Sequence, residues 1–271
     1  RTWRLIPSSD RYAAVSRYRD LLKERLERLA EVVAFEGGRP LWETRVEMQE
    51  CLLLIDYFLN HPSETDTERE VELLGECSGS YRSYPRGVMA IISPSTLPAI
   101  ISHSEFIPAL LNGNTIVLKS SKFNPMLGQE LAKLGNDSGL PAGLLNVVHG
   151  NAELSRRLIK HKDVAGVFFT GSHEKSLQVR KEIASDYWKI LVIQAGGKNG
   201  AVIWEDANYE KALMESIYAA YITAGQRYTS TRRLLIHSSL FDRFAKDFHS
   251  LSKKIRVGPG LDPERPVFMG S

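Results

Sequence analysis

From Val88 onward the sequence sets short, continuously apolar runs between helical stretches, and this alternation limits the fold more than any other feature. The runs are "VMAIIS", "TIVLK", "LLNVVHG", "GVFFTG", "ILVIQ" and "AVIW". A strand that is apolar on both faces must be covered on both faces, so strands of this kind separated by helices imply a parallel sheet inside a three-layer α/β/α domain. The intervening helices are predicted over Pro98 to Leu111, Met126 to Leu134 and Glu174 to Ala184. Gly139 to Gly143 (GLPAG) reads as a helix stop and turn. A helix from Asn208 to Tyr221, a loop, the strand "RRLLIH" and a helix from Phe241 to Lys254 complete the pattern.

Before Val88 the texture is different. Ala13, Tyr18, Leu21, Leu22, Leu26, Leu29 and Val33 recur at three- and four-residue steps, the period of a helix. "EGGRP" divides this region into two long predicted helices, with Pro40 opening the second. "VELLGE" and "SYRSYPRG" then read as two strands of a hairpin joined through Gly75 to Gly79. The expected division is 1–69 helical, 70–87 a protruding hairpin, 88–223 the sheet domain and 224–271 the start of a further domain.

Composition narrows the partners. The 271 residues carry 35 Lys+Arg against 32 Asp+Glu, a formal charge of +3, which gives no reason to expect nucleic acid. No stretch approaches eighteen consecutive apolar residues, so no membrane partner is expected and the reading is cytoplasmic. Cys51 and Cys77 are the only cysteines and lack metal-ligand spacing; a reducing compartment and no metal follow. Cys51, inside "ECLLLIDYFL", is expected to be buried, and Cys77 lies among turn residues.

Two segments carry binding chemistry. "VFFTGSHEKS" is a strand, a tight turn and a helix start, where Ser172 can cap the helix and backbone N–H groups can face a pyrophosphate. "TIVLKSSKFNP" places Lys119 and Lys122 at the carboxyl end of another strand, where ligands of open α/β sheets bind.

Taken together these segments resemble the aldehyde dehydrogenase superfamily. "PRGVMAIISPSTLP" is similar to its P-x-G-V…P-W-N-F-P stretch, and "PALLNGNTIVLKSSKFNP" to its P-A-L-x-x-G-N-x-V-x-x-K-P-S-E-x-x-P. "SGLPAGLLNVVHG", "FFTGS", "IQAGGKN" and "GQRYTSTRR" follow in the family's order and spacing. "GRPLWETRVEMQ" and "GQRYTSTRR" look most like the succinylglutamate-semialdehyde dehydrogenase branch. The resemblance implies a Rossmann-like NAD(P)-binding domain with N-terminal helices, the hairpin as an oligomerisation element, and a catalytic domain that begins near residue 224.

The family's reaction needs a thiolate nucleophile, an oxyanion-holding amide and a carboxylate base. At the positions matching these three roles the sequence has Tyr228, Thr96 and Gln194. A phenol with a pKa of about 10 is a poor nucleophile at neutral pH. Threonine lacks the amide donor, and glutamine cannot accept the proton. The resemblance therefore implies a family member with its dehydrogenase chemistry removed, acting as a cofactor-binding or interaction module. The competing reading is an active NAD(P)-dependent oxidoreductase that uses another nucleophile, such as Thr229 or Ser230.

Cofactor positions are better kept. Lys119, Gly171, Ser172, Gly196 and Gly197 match the family's dinucleotide-binding residues. Lys122 stands in place of the ribose-binding glutamate and favours a 2′-phosphate. Weak binding of NADP or NAD is expected, since the glutamate that fixes the nicotinamide ribose falls beyond the last matching segment. A truncated product or part of a longer chain is the expected explanation. Self-association through Glu70 to Pro85, with Glu72, Glu76, Arg82 and Arg86 facing one another across the contact, is expected in place of the missing final strand.

Overall fold

A computed structural model describes residues 2–62, 69–72, 78–81, 84–262 and 264–270. The N-terminal region forms α1 (Ser8–Glu24), α2 (Leu26–Gly37) and α3 (Leu41–Asn60). Sequence periodicity predicts two helices here, and the first is broken at Arg25, which has φ −98° and ψ 11°. At the break the Arg25 guanidinium reaches Asp137 at 2.7 Å. The expected division at "EGGRP" is present: Gly38 takes φ 65° after α2, and Pro40 precedes α3.

Strands β1 (Arg69–Glu72) and β2 (Ser78–Tyr81) pair antiparallel, with Arg69 opposite Tyr81 and Glu72 opposite Ser78. Both strands differ in extent from "VELLGE" and "SYRSYPRG": the first starts earlier and the second begins at Ser78. Glu76, Cys77 and Arg82 lie outside the described residues.

The main sheet comprises β3 (Val88–Ile92), β4 (Thr115–Lys119), β5 (Leu145–Val148), β6 (Val164–Gly171) and β7 (Ile190–Ala195), all parallel in the order β5-β4-β3-β6-β7. Its crossover helices are α4 (Pro98–Leu111), α5 (Pro125–Asp137), α6 (Ala152–Lys160) and α7 (His173–Ile183). Helix α6 is absent from the sequence reading. It is short and polar, but Asn151 caps it, accepting from the N–H groups of Glu153 and Leu154 at 3.0 and 3.3 Å. A second small parallel pair, β8 (Asn199–Ile203) and β9 (Thr231–Ile236), is joined by α8 (Tyr209–Tyr221) and followed by α9 (Phe241–Ser252). The short strands β10 (Val257–Gly258) and β11 (Met269–Gly270) pair parallel near the end of the chain.

Alternation along the strands divides the core between two faces. Met89, Ile91, Ile116 and Leu118 pack towards α4, α5 and the N-terminal helices. Ala90, Ile92, Val167 and Phe169 pack against Val179 and Ile183 of α7 and Ile159 of α6. Each large apolar side chain so buried contributes about 1.5–3 kcal/mol relative to exposure.

One polar group sits deep in the first layer. His103 of α4 is fully buried, with Nδ1 2.7 Å from the Ala99 carbonyl oxygen and Nε2 3.1 Å from the Tyr18 hydroxyl. A carbonyl oxygen can only accept, so Nδ1 carries the proton and Nε2 accepts from Tyr18. Burial pushes the His103 pKa down from 6.5 to about 4. The neutral ring therefore gives its full stabilisation above about pH 6.5, and this is lost as pH falls towards about 4. His103→Gln offers Tyr18 an acceptor that does not titrate. Urea unfolding across this range is expected to show a shallower acid-side loss in that variant; equal slopes would disprove the assignment.

Candidate dinucleotide and reaction site

The strand order reverses between β3 and β6, which places a binding crevice at their carboxyl ends. Ile92, at the end of β3, lies beside Lys119 of β4 and Phe169 of β6. Across β6 and β7, Thr170 lies beside Gln194 and Gly171 beside Ala195. Past the strand ends, Gly196 donates its N–H to the Gly171 carbonyl at 3.1 Å. The parallel register thus brings Thr96, Lys119, Gly171, Ser172, Gln194, Gly196 and Gly197 to one edge of the sheet.

At that edge Ser172 caps α7, its Oγ accepting the Lys175 N–H at 3.4 Å. Lys119 is 7% exposed. Burial lowers its pKa, and the positive charges of Lys175 and Lys122 lower it further. Lys175 was not singled out from sequence, although its place in the first turn after a capping serine was the available signal. Lys122 is exposed, with Nζ 4.8 Å from the centre of the Phe123 ring. Among the described residues none of these three ammonium groups is ion-paired. A helix N-terminus beside three unpaired cations suits a polyanion. The donor set therefore fits a pyrophosphate and a further phosphate, and Lys122 supplies no acceptor for ribose hydroxyls.

The Tyr228 loop is built on unusual backbone. Thr223 and Ala224 adopt φ 55° and 51°, followed by Gly225 at φ 65°. A left-handed conformation is costly for Thr and Ala, and here a buried polar network holds it. The Thr223 hydroxyl bonds the Glu43 carboxylate, Arg227 Nε donates to Thr223 Oγ1 at 2.7 Å, and Arg227 also reaches Glu43 at 3.5 Å. Arg39 pairs with both Glu43 and Glu47. Burial alone would lower the Arg39 pKa, but Glu47 and Glu43 hold it above its usual value. Glu47 also accepts the N–H groups of Ala99 and Ile100, at 2.8 and 3.1 Å, in the first turn of α4. That turn begins two residues after Thr96, and two of its N–H donors are already satisfied by a protein carboxylate.

Beyond the network, the Tyr228 carbonyl accepts from Asn199 Nδ2 at 2.6 Å. A Cβ built on Gly197 would lie 2.1 Å from that same carbonyl oxygen, so the contact requires glycine. The Tyr228 ring is 43% exposed. Ser230 is 3% exposed, and its Oγ has no hydrogen-bond partner. Thr229 is exposed, and among the described residues no base is bonded to its hydroxyl. Cys51 is fully buried, and burial pushes its thiol pKa well above the ordinary value.

The four-residue spacing of Glu43 and Glu47 on an apolar helix was the signal by which sequence reasoning could have found the network.

This arrangement defines a Rossmann-like fold followed by a small parallel β8–β9 pair with α8 and α9. The chain belongs to the aldehyde dehydrogenase family, whose pattern matches residues 1–271. It is 31% identical over 268 residues to N-succinylglutamate 5-semialdehyde dehydrogenase of Novosphingobium aromaticivorans, covering 99% of this chain and 57% of that protein. An Escherichia coli NADP-dependent enzyme superposes with a TM-score of 0.93 at 28% identity, covering 99% of this chain and 56% of the other. PnpE in complex with nicotinamide adenine dinucleotide gives a TM-score of 0.93 at 28% identity, covering 99% and 55%. The chain thus spans about half the length of these relatives. No helix among the described residues is long and apolar enough to cross a membrane.

The network has a measurable consequence. Glu47→Leu leaves the buried Arg39 with Glu43 alone and uncaps α4, and removing one partner of a buried pair costs about 3–5 kcal/mol. Adding Arg39→Met removes the stranded charge, so the double variant is expected to be less destabilised than the sum of the single ones. Chemical unfolding of the four proteins checks this; strict additivity would show that the pair is not coupled.

Proposed function

We propose that this chain is a cofactor-binding member of the aldehyde dehydrogenase family that takes NADP in preference to NAD and does not itself oxidise aldehydes. The observation that carries the reading is the contrast between its two half-sites. Lys119, Lys122 and Lys175 gather positive charge beside the Ser172-capped start of α7. Gly171, Gly196 and Gly197 border the path on which the dinucleotide would lie, and Lys122 would meet the 2′-phosphate of NADP. Bound there, the cofactor supplies a hydride-accepting nicotinamide. Opposite it, Tyr228, Thr96 and Gln194 provide no activated nucleophile, amide donor or carboxylate base. Thr229 and Ser230 do not fill the gap, because the first has no bonded base and the second is buried.

Titration calorimetry and cofactor absorbance test the two halves together. NADP is expected to bind weakly but more tightly than NAD, and Lys122→Glu should shrink the difference by about tenfold through loss of a charge-assisted contact. No reduced cofactor is expected from succinylglutamate semialdehyde or a simple aldehyde. Tyr228→Cys alone should restore little, because the replaced groups act as a unit. Tighter NAD binding unaffected by Lys122→Glu would refute the cofactor assignment, and turnover by the unmodified protein would refute the catalytic one.

Self-association through β1 and β2 belongs to the same reading. A two-stranded ribbon is marginal by itself and leaves two edges whose N–H and C=O groups can pair with another copy. Sedimentation of a variant lacking residues 70–85 is expected to show loss of the oligomer; an unchanged oligomer would place the contact elsewhere.

A further inference from the structure

Lys119 stands where a lysine is seldom left alone. It closes β4, is 7% exposed, and its ammonium group has neither a hydrogen bond nor an ion pair among the described residues. A charge so far removed from water is ordinarily paired. The turn that follows uses its polar groups internally: Ser120 Oγ donates to the Asn124 carbonyl at 2.6 Å, and Ser121 Oγ accepts the Phe123 N–H at 3.2 Å. The Lys119 carbonyl is occupied by the Ser93 N–H at 3.1 Å. The charges that reach the Lys119 amine are those of Lys175 and Lys122, two further cations.

An amine in this setting has two properties. Burial lowers its pKa and the neighbouring cations lower it further, so a larger share of it is neutral and nucleophilic near pH 7 than of an exposed lysine. It also adjoins an anion-binding surface. Lys175 lies in the first turn of α7, Lys122 follows β4, and the N–H groups at the start of α7 face outward past Ser172. A polyanion satisfies the cations, but it leaves a neutral amine without a use. An electrophile that carries its own phosphate satisfies both.

We infer that Lys119 is a covalent modification site for phosphorylated aldehydes, which it captures as an imine while their phosphate rests on the start of α7 beside Lys175 and Lys122. The Lys119 Nζ lone pair forms a bond to the aldehyde carbon, and the carbonyl π electrons pass to oxygen. The resulting carbinolamine loses that oxygen as water together with the two protons of the amine, leaving C=N. Nothing is oxidised or reduced, so the step needs no further reagent. The phosphate supplies what an ordinary aldehyde lacks, a contact that holds the carbonyl near the amine. The inference rests on the reading of α7 as a phosphate site, but on neither the preference for NADP nor the loss of dehydrogenase chemistry.

The test incubates the protein with pyridoxal 5′-phosphate, fixes any imine with borohydride and locates the label by peptide mass spectrometry. Lys119 is expected to carry the label at concentrations that leave the exposed lysines unmodified. Pyridoxal, which has the aldehyde without the phosphate, should require at least about tenfold more reagent. Lys175→Glu, at an exposed position, should raise the concentration for half-modification by about tenfold and leave the label on Lys119. Lys119→Arg keeps the charge and removes the amine, so its label should vanish, with the unfolding midpoint confirming that the protein is folded. Glycolaldehyde phosphate is an aliphatic carrier of the same two groups; whichever carrier reacts at lower concentration identifies the source of the ligand. Label spread evenly over exposed lysines, equal reaction with pyridoxal, or indifference to Lys175→Glu would overturn the inference. Titration with NADP keeps the two readings apart: NADP binding without a Lys119 adduct overturns this inference alone, and an adduct in a protein that binds neither NADP nor NAD overturns the cofactor assignment alone.

Discussion

The Glu47 carboxylate joins more of this molecule than any other single group. It lies on α3, pairs with Arg39 at the end of the α2–α3 connection, and closes the N-terminus of α4 through Ala99 and Ile100. A buried carboxylate is tolerable only where its lone pairs and charge are both met. Here two backbone donors and a guanidinium meet them. Through Arg39 the contact extends to Glu43, and from there to Thr223 and Arg227 in the loop that presents Tyr228. The N-terminal helices therefore anchor the first crossover helix and the loop at the proposed reaction site together. Glu36 repeats the device nearby, accepting from Met126 and Leu127 at the start of α5. The starts of α4 and α5 are thus filled from the N-terminal layer, whereas α6 and α7 are capped by their own Asn151 and Ser172.

The same network explains how the Tyr228 loop holds its shape without obvious chemistry. Two non-glycine residues with positive φ are retained because buried hydrogen bonds over-determine them. Gly197 adds a backbone contact that no side chain could share, and Asn199 fixes the far side by bonding the Tyr228 and Ser230 carbonyls. The side chain that this loop presents is a half-exposed phenol. Among the described residues Arg39 Nε and Glu43 Oε2 have no partner, so the network carries a polar cost that core packing must offset.

How far the sequence disclosed this depends on the range of the interactions involved. The strands of the main sheet were legible because their signal is local: continuous apolar runs such as "GVFFTG" admit few environments. Pro98 to Leu111 was legible because a proline opens it and apolar residues fill it. Helix α6 escaped notice because only Ile159 of its nine residues is buried, leaving almost no apolar stripe to read. The break at Arg25 escaped as well, since its partner Asp137 lies over a hundred residues away. Ser172 and Lys119 could be placed at strand ends from pattern alone. What stayed hidden is the meeting of distant segments: Lys175 with Lys119, and Glu43 and Glu47 with Thr223 and Ala99.

The two halves of the candidate site also differ in what substitution does to them. A binding site for a polyanion is built from summed charge and backbone donors, and it survives exchange of one residue because neighbouring charges remain. On the proposed reading, Lys122 tunes such a site towards a more highly charged ligand without dismantling it. A covalent reaction site depends instead on groups that act as a unit, and loss of the nucleophile leaves the others with little to assist. On the proposed reading the chain follows this asymmetry: Lys119, Lys122 and Lys175 stand together at the crevice, while Tyr228, Thr96 and Gln194 offer no group that could act as such a unit. The contacts of Glu47, Glu43 and Gly197 are made to main chain and to neighbouring side chains, so they hold the fold whatever side chain stands at position 228. The geometry of the Tyr228 loop is thus accounted for by these contacts alone.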